Sequence, residues 1–222
     1  MIRTGEHEPK WRRLPEERPQ QILDAAIEVF GNHGLANARL EDIAKRAGVS
    51  KGTIYLYFPN KEALFKEMIR QTVIAQLEQT ERDLVNDRGM SATDQVRLFM
   101  RWWWSLMRRP DYQRIYRLVF GELQRFPELV EFFWDEVIVR RQLLLDRLIQ
   151  RGVDSGEFRP VDPTIAGRLV SSMFSSHSLW ACTRFYEKQE LTDEIVFDQV
   201  MDYFFHSLSP SATLAVAAPA KS

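Results

Sequence analysis

Apolar residues recur every three or four positions along almost the whole chain, and no alternating apolar and polar run with a hairpin turn interrupts this pattern. The spacing predicts an all-α fold of about nine helices. These predicted helices cover residues 18–33, 40–47, 51–57, 61–86, 92–108, 111–125, 128–152, 163–187 and 192–208. Glycines and prolines separate most of them, which is typical of helix ends.

Residues 40–61 carry the most informative pattern, LEDIAKRAGVSKGTIYLYFPNK. Two helices of about two turns each, joined by the stretch Ala47-Gly48-Val49-Ser50, match a helix-turn-helix unit. Gly48 stands where the chain must reverse, because a residue without Cβ adopts a positive φ easily. Val49 is a small apolar residue between the two helices, and Ser50 is placed to cap the second.

The second of these helices would expose a cation, hydroxyls and aromatic edges, which suit phosphates and base edges in a major groove. Two further cations, before the first helix and at the start of the next long one, lie where helix N-termini favour anions. We therefore predict DNA contacts for Arg39, Ser50, Lys51, Gly52, Thr53, Tyr55, Tyr57 and Lys61. Thr53, Lys51 and Tyr55 are the predicted base-contacting residues. Core packing of the aromatic residues is the alternative, and it is preferred for Phe58.

The run IAKRAGVSKGTIYLYFPNKEALF, preceded by ILDAAIEVFGNHG, resembles the DNA-binding head of the TetR family of bacterial transcriptional regulators. The resemblance covers residues 18–65 without a gap. Matched positions are Ala25, Phe30, Gly34, Ile43, Ala44, Gly48, Val49, Thr53, Tyr55, Phe58, Lys61, Leu64 and Phe65. It implies a homodimer on a palindromic double-stranded DNA operator, repression as the default state, and release by a small-molecule inducer. It implies nothing residue-specific beyond about Phe65.

Charge is divided unevenly along a chain whose net charge is −1. Residues 1–66 hold 11 basic and 9 acidic side chains, against 19 and 22 in the remainder. A mildly basic head on an acidic body is consistent with DNA contact at one end. The predicted organisation is a flexible arm at 1–17, a helix-turn-helix DNA-binding domain at 18–65, a ligand-binding and dimerisation domain at 66–208, and a disordered tail at 209–222. The basic arm either enters the minor groove or is simply disordered.

The predicted body is rich in aromatic residues, beginning with LFMRWWWSLM at 98–107. Three consecutive tryptophans cannot share one helix face, because successive residues lie about 100° apart. Aromatic and methionine side chains suit an apolar or aromatic inducer, so we predict ligand contacts for Trp103, Met107, Phe120, Phe133 and Trp180. Ordinary core packing is the alternative for each. An inward-facing arginine among the many nearby would instead indicate an acidic ligand such as a carboxylate or acyl conjugate.

The last two predicted helices carry apolar stripes that would form a four-helix bundle with a second copy. The stripes are Leu169, Met173, Ser176 and Trp180 on one helix, and Val196, Val200, Tyr203 and Phe204 on the other. Packing within the same chain is the alternative. Dimerisation also follows from recognition geometry, since a pair of short helices about 34 Å apart doubles the footprint on DNA.

Other classes of protein find little support in the sequence. No apolar run is long enough to span a membrane, the N-terminus lacks a signal-peptide pattern, and the lone Cys182 suits a reducing compartment, so we expect a cytoplasmic protein. HExxH, CxxC and Gly-rich phosphate motifs are missing, so we expect no enzyme, no cofactor and no metal. The remaining alternative is a helical protein-binding adaptor, which would explain the helices but not the recognition helix.

Overall fold

The computed structural model describes residues 17–86, 89–181 and 192–211, with side chains for all of these except 85–86 and 179–181. Several predictions lie outside the described residues: the arm up to residue 16, the tail beyond residue 211, the last turns of the predicted helix 163–187, and the side chains of Trp180 and Cys182.

Within the described residues all regular structure is helical, which confirms the predicted all-α class. The helices are α1 (Arg18–Asn37), α2 (Leu40–Ala47), α3 (Lys51–Tyr57), α4 (Lys61–Ile69), α5 (Ala75–Asn86), α6 (Ala92–Arg108), α7 (Pro110–Glu122), α8 (Pro127–Phe133), α9 (Arg140–Asp154), α10 (Pro163–Ala181) and α11 (Asp193–Leu208). π-Helical turns join α4 to α5 at Arg70–Ile74 and α8 to α9 at Trp134–Val139. Nine continuous helices therefore result in this part of the chain, as predicted.

Side-chain caps fix several helix starts. The side-chain oxygen of the cap accepts a hydrogen bond from the backbone N–H three residues later, at Ser50, Asn60, Ser91, Asp162 and Thr192. At α10 the cap is followed directly by Pro163, which lacks an N–H and suits a first helical turn. The described helices include none that combines the length and apolar character needed to cross a bilayer.

The chain forms two compact units, and α7 contributes to both. The first unit comprises the described residues up to Arg70 together with Arg114–Leu129. Its core lies between α1 and α4, where the rings of Phe30 and Phe65 meet edge to face with centroids 6.4 Å apart. This core is the support on which the short helices α2 and α3 are built.

Gly34 breaks the regular geometry of α1 near its end. Its φ of +74° and ψ of 162° are non-helical, and one further turn follows to Asn37. A Cβ at this position would lie 1.9 Å from Oε1 of Glu122 in α7, and the N–H of Ala36 donates to Oε2 of the same carboxylate at 3.5 Å. The stop predicted at Gly34 is thus a break within the helix, enclosed by a neighbouring side chain.

The second unit comprises Gln71–Gln113 and the described residues from Val130 onward. Trp104 in α6 packs against Phe174 and His177 of α10 and Phe197 of α11, with ring centroids 5.1 to 6.4 Å apart. Burial, together with the charge of Arg108, lowers the pKa of His177, although Asp193 opposes this shift. Aromatic packing therefore holds the three helices together.

Two arginines near the tryptophans form ion pairs with acidic residues of α11. Arg101 forms ion pairs with Glu194 and Asp198 of α11, and Arg108 with Asp193 at 2.6 Å. These pairs join α6 to α11 by their charged edges, in addition to the aromatic contacts beneath them.

Candidate nucleic-acid interface

A tight reversal at Gly48 joins α2 to α3. Gly48 has φ +68° and ψ +32°, in the left-handed region that suits a residue without Cβ. The N–H of Gly48 donates to the carbonyl of Lys45 at 3.4 Å, and the N–H of Val49 donates to the carbonyl of Ala44 at 3.0 Å. These two bonds form a Schellman motif, which ends α2 and turns the chain toward α3. The positive φ predicted at Gly48 is confirmed.

Ser50 caps α3, as its position in the sequence predicts. Its Oγ accepts from the N–H of Thr53 at 3.0 Å and lies 2.8 Å from the Thr53 hydroxyl oxygen. The cap therefore fixes the first turn of α3 and also holds the Thr53 hydroxyl at the start of the helix.

One side of α3 is buried and the other faces solvent. Ile54 and, one turn later, Phe58 are buried. The predicted contact residues lie on the remaining surface, with Lys51, Gly52, Tyr55 and Tyr57 exposed and Thr53 half-buried. The exposed helix predicted after Gly48 is present, and the preference for core packing of Phe58 is confirmed. Contact between the exposed residues and DNA remains a prediction.

Leu56 is a surface residue that the sequence analysis missed. Its side chain is 82 % exposed, more than that of the neighbouring Tyr55 at 49 %. A leucine is ordinarily assigned to the core, but its place in the helix gave a signal: Ile54 and Phe58 face inward, so the residue midway between them faces out. An exposed apolar side chain on this helix suits contact with a thymine methyl group.

Lys51 is paired with a carboxylate of the neighbouring helix. Its Nζ forms an ion pair with Glu41 in α2 and lies 5.7 Å from the centroid of the Tyr55 ring. The hydrogen bond from Lys51 lowers the pKa of Glu41, and the same bond raises the pKa of Lys51. Both groups are therefore charged near neutral pH. A DNA phosphate that contacts Lys51 would compete with Glu41.

Lys61 has an internal role at the start of α4. Its ammonium donates to the carbonyls of Leu35 at 2.8 Å and Ala36 at 3.0 Å. The side chain therefore ties α4 to the last turn of α1, directly after the cap formed by Asn60. The other predicted cation, Arg39, is exposed just before α2. These two carbonyls accept from two of the three N–H groups of the ammonium, so a phosphate could accept only from the third.

Gly52 has no internal reason to lack a side chain. A Cβ built there would meet only Oγ of Ser50, at 3.7 Å, which is an ordinary contact. The residue is helical and exposed. The first turn of α3 is therefore open to close approach from outside at this position, and the DNA contact of Gly52 remains a prediction.

The predicted ligand residues with described side chains are divided between the two units. Trp103, Met107 and Phe133 are buried in the second unit, where the Ser178 hydroxyl lies 3.5 Å from the Met107 sulfur. Phe120 belongs to the first unit, is 60 % exposed, and contacts Tyr116 with ring centroids 4.3 Å apart. The sequence analysis also missed Arg141, a buried charge of the second unit.

A capped, exposed helix behind a Schellman turn, supported by the core between α1 and α4, defines the class of protein: a helix-turn-helix DNA-binding protein. Residues 22–68 match the family described as bacterial regulatory proteins, tetR family. Residues 94–204 match a second family, the AefR-like transcriptional repressor, C-terminal domain. The chain belongs to the TetR family of bacterial transcriptional regulators, which confirms the resemblance.

Individual relatives agree with this assignment. The HTH-type transcriptional regulator RutR of Escherichia coli is 29% identical over 209 residues, covering 87% of this chain and 89% of its own. Among solved structures, the transcriptional regulator FadR from Bacillus subtilis in complex with stearoyl-CoA has a TM-score of 0.68 at 23% identity, covering 85% of this chain and 98% of its own. A transcriptional regulator from Saccharomonospora viridis in complex with choline has a TM-score of 0.72 at 21% identity, covering 87% and 98%.

Proposed function

We propose that this transcriptional regulator is a repressor that binds a palindromic operator as a homodimer and leaves it when a small-molecule inducer binds the body. The observation that carries the proposal is the exposed face of α3, which Ser50 caps and Ile54 and Phe58 fix from below. An α-helix of this kind fits a major groove. The domain boundaries at 18–65 and 66–208, and a cytoplasmic location, are part of the same proposal.

The residues of the interface have different roles in this proposal. Thr53, Lys51 and Tyr55 contact base edges. The remaining predicted contacts position the helix on the phosphate backbone, and they are Arg39, Ser50, Gly52, Tyr57 and Lys61. Gly52 supports this division, because a missing side chain allows a phosphate to approach the helix backbone.

Exposed apolar side chains on α10 and α11 support dimerisation. Ile165, Leu169 and Met173 follow one another at intervals of four residues, and all three are exposed. On α11, Tyr203 is also exposed, whereas Phe204 of the predicted stripe is buried in its own unit. A contiguous apolar surface of this kind is typical of an interaction site. The dimer that we propose packs these two helices against their copies.

The inducer site that we propose lies in the second unit, where Trp103, Met107 and Phe133 contact the ligand. Trp180, whose side chain lies outside the described residues, is a further proposed contact. The solved structures of similar regulators in complex with stearoyl-CoA and with choline support a small-molecule ligand for this regulator. Inducer and operator then favour different conformations, and a coupling of about 1–3 kcal/mol changes operator affinity by roughly 5- to 150-fold. Phe120 stays the least supported of the predicted contacts because of its exposure in the first unit.

The test is a mobility-shift titration with DNA from upstream of the protein's own gene. We expect a dimer to bind at one site, and Thr53→Val to weaken it about tenfold or more, since one base contact contributes roughly 1–3 kcal/mol. Leu169→Asp should yield monomers in sedimentation and lose operator binding. Arg147→Gln, an exposed change on α9, serves as the control. If the folded protein binds none of the upstream fragments, the proposal is contradicted and a protein-binding adaptor is favoured.

A further inference from the structure

Trp103 carries a buried hydrogen-bond donor that no partner explains. Its side chain lies in α6 and is 3 % exposed, and its Nε1–H finds no acceptor among the described residues. Leaving such a donor unpaired costs more than a typical hydrogen bond contributes. Since buried polar groups in native proteins are nearly always paired, an orphaned one calls for an explanation, and an acceptor that is not part of the chain supplies one. The Nε1–H of Trp103 is therefore available to an acceptor from outside the chain.

A permanent positive charge lies next to this donor. The guanidinium carbon of Arg141 in α9 is 4.5 Å from the centroid of the Trp103 ring, and Nη1 donates to the Ser171 hydroxyl of α10 at 3.0 Å. Arg141 is only 6 % exposed. An arginine does not lose its proton in a protein, so the burial keeps a full charge inside the unit.

Arg141 lies on the face of its helix that is turned toward the interior. Val137, Leu144 and Leu148 lie four positions before, three after and seven after it, and all are buried. An apolar side chain would fit this stripe without the cost of desolvating a charge. The helix thus directs a guanidinium into the region where an apolar residue would be the simplest choice.

We propose that the inducer is an organic anion whose carboxylate, or a similar oxyanion, accepts hydrogen bonds from both Arg141 and the Trp103 Nε1–H. Arginine's planar group matches a carboxylate geometrically, and charge-assisted hydrogen bonds are the stronger kind. The apolar part of the anion contacts the Trp103 and Tyr112 side chains, whose rings meet edge to face with centroids 5.6 Å apart. The inference rests on the proposed inducer function of the body and names the chemical class of the ligand.

The same geometry gives the anion a route to α10. Ser171 faces inward on this helix, while Leu169 and Met173 face outward on the stripe proposed for dimerisation. A carboxylate that takes the guanidinium replaces or shares its bond with Ser171. Binding therefore acts on the helix that is proposed to hold the two copies together.

The experiment is calorimetric titration of the full-length protein with matched pairs of acid and primary amide. The probes are phenylacetate, 3-phenylpropionate, octanoate and hexadecanoate, each with its amide, and choline as the cationic comparison. We expect at least one acid to bind ten times more tightly than its amide, and choline not to compete. Arg141→Met should reduce the preference for the acid over its amide at least tenfold. Trp103→Phe, which retains a ring but not the N–H, should weaken acid binding by several-fold.

Arg147→Met is the matched control, because it removes an exposed arginine of the same helix and should change none of these values. Thermal unfolding without ligand supplies a second measurement. If Arg141 serves the ligand, the midpoint for Arg141→Met stays within about 2 °C of the original or rises. A larger fall would assign Arg141 to a structural role, through its contacts with Ser171 and Trp103, and overturn the proposal.

The proposal is equally overturned if no acid binds, if acids and amides bind alike, or if Arg141→Met keeps the preference. Operator binding is measured separately, which distinguishes the two failures. Acid binding without operator binding would contradict the repressor function alone. If the protein binds the operator but none of the acids, only the proposal of an anionic inducer is contradicted.

Discussion

The two compact units carry their functional side chains in opposite ways. In the first unit, Lys51 and Tyr55 are exposed on α3 and the buried residues Ile54 and Phe58 hold that helix from beneath. In the second unit, the groups we assign to a ligand, Trp103 and Arg141, are themselves buried. A large charged partner requires an accessible surface, whereas a small molecule is bound best where water is excluded.

This difference predicts how each unit responds to substitution. Changes on the outer face of α3 should alter DNA binding while leaving stability nearly constant, because surface substitutions are usually within about 0.5 kcal/mol. Changes among the buried groups of the second unit alter packing as well as binding. Four predictions test this contrast, and they follow in order of the expected effect.

The largest effect is expected at Gly34, where the backbone of α1 is non-helical. Gly34→Ala places a side chain at φ +74° and brings its Cβ 1.9 Å from the Glu122 carboxylate. We expect the free energy of unfolding to fall by about 2–3 kcal/mol, from the strained backbone and the displaced carboxylate. Denaturant unfolding measures the loss.

Gly121→Ala is the control for this substitution. Gly121 is in α7, next to Glu122, and a Cβ there meets nothing within 4 Å. We expect this variant to gain about 0.5–1 kcal/mol from helix propensity. Equal stability of the two variants would contradict the backbone strain expected for a side chain at φ +74°.

Gly52→Ala separates binding from stability more cleanly than any other change on α3. The Cβ fits, with only a 3.7 Å contact, so the helix should be slightly stabilised. Operator affinity should nevertheless fall by about 10- to 30-fold, since the added methyl group holds a phosphate away from the backbone. Fluorescence anisotropy with labelled operator checks the affinity and thermal unfolding checks the stability. Unchanged affinity would remove Gly52 from the interface.

Much of the first unit could be predicted from sequence because its local rules agree with one another. Gly48 and Ser50 have their roles for reasons that act within a few residues: the missing Cβ allows the turn, and the hydroxyl caps α3. Both were predicted correctly. The tie from Lys61 to the carbonyls of Leu35 and Ala36 was not foreseen, because it joins segments 25 residues apart.

The second unit was predicted only in outline for the same reason. Helical periodicity identified α6, α9 and α10, but the partners of a buried side chain depend on contacts distant in sequence. Phe120 and Trp103 were both predicted to contact the ligand, and they belong to different units. Arg141 was overlooked although it interrupts an apolar stripe, a signal that is visible in the sequence once the period of the helix is followed through it.

Glu157 provides a pH-dependent test in the second unit. Its carboxylate accepts from the N–H groups of Ala92 and Thr93 at 2.9 and 3.0 Å, at the start of α6. Burial raises the pKa of Glu157, but these hydrogen bonds outweigh it and the pKa is lowered overall. A lowered pKa stabilises the fold above the ordinary value of about 4.3, and this contribution is lost as the pH falls through the lowered pKa.

Glu157→Gln should therefore cost about 1 kcal/mol of unfolding free energy at pH 7 and progressively less below about pH 4. Denaturant titrations at several pH values measure the difference between the two proteins. Glu131→Gln, an exposed change on α8, should show no such trend. A difference that stays constant down to pH 3 would mean that the charge of Glu157 does not contribute.

The smallest expected effect concerns the pair of Lys51 and Glu41 on the exposed face itself. Because Glu41 holds the ammonium of Lys51, a phosphate must displace a carboxylate before it gains the lysine. Glu41→Gln should therefore raise affinity for DNA about two- to threefold, consistent with the small contribution of exposed ion pairs. The slope of log affinity against log salt should steepen by up to about one phosphate contact.

Glu28→Gln is the matched control, since Glu28 pairs with Arg46 in the same unit but away from α3. The comparison also determines what the pair does for specificity. If Glu41→Gln strengthens binding to random DNA more than binding to the operator, the carboxylate selects against nonspecific phosphate contacts. If Glu41→Gln changes neither the affinity for the operator nor that for random DNA, and Glu28→Gln also changes neither, Lys51 does not contact DNA. Base contact must then depend on Thr53 and Tyr55 alone.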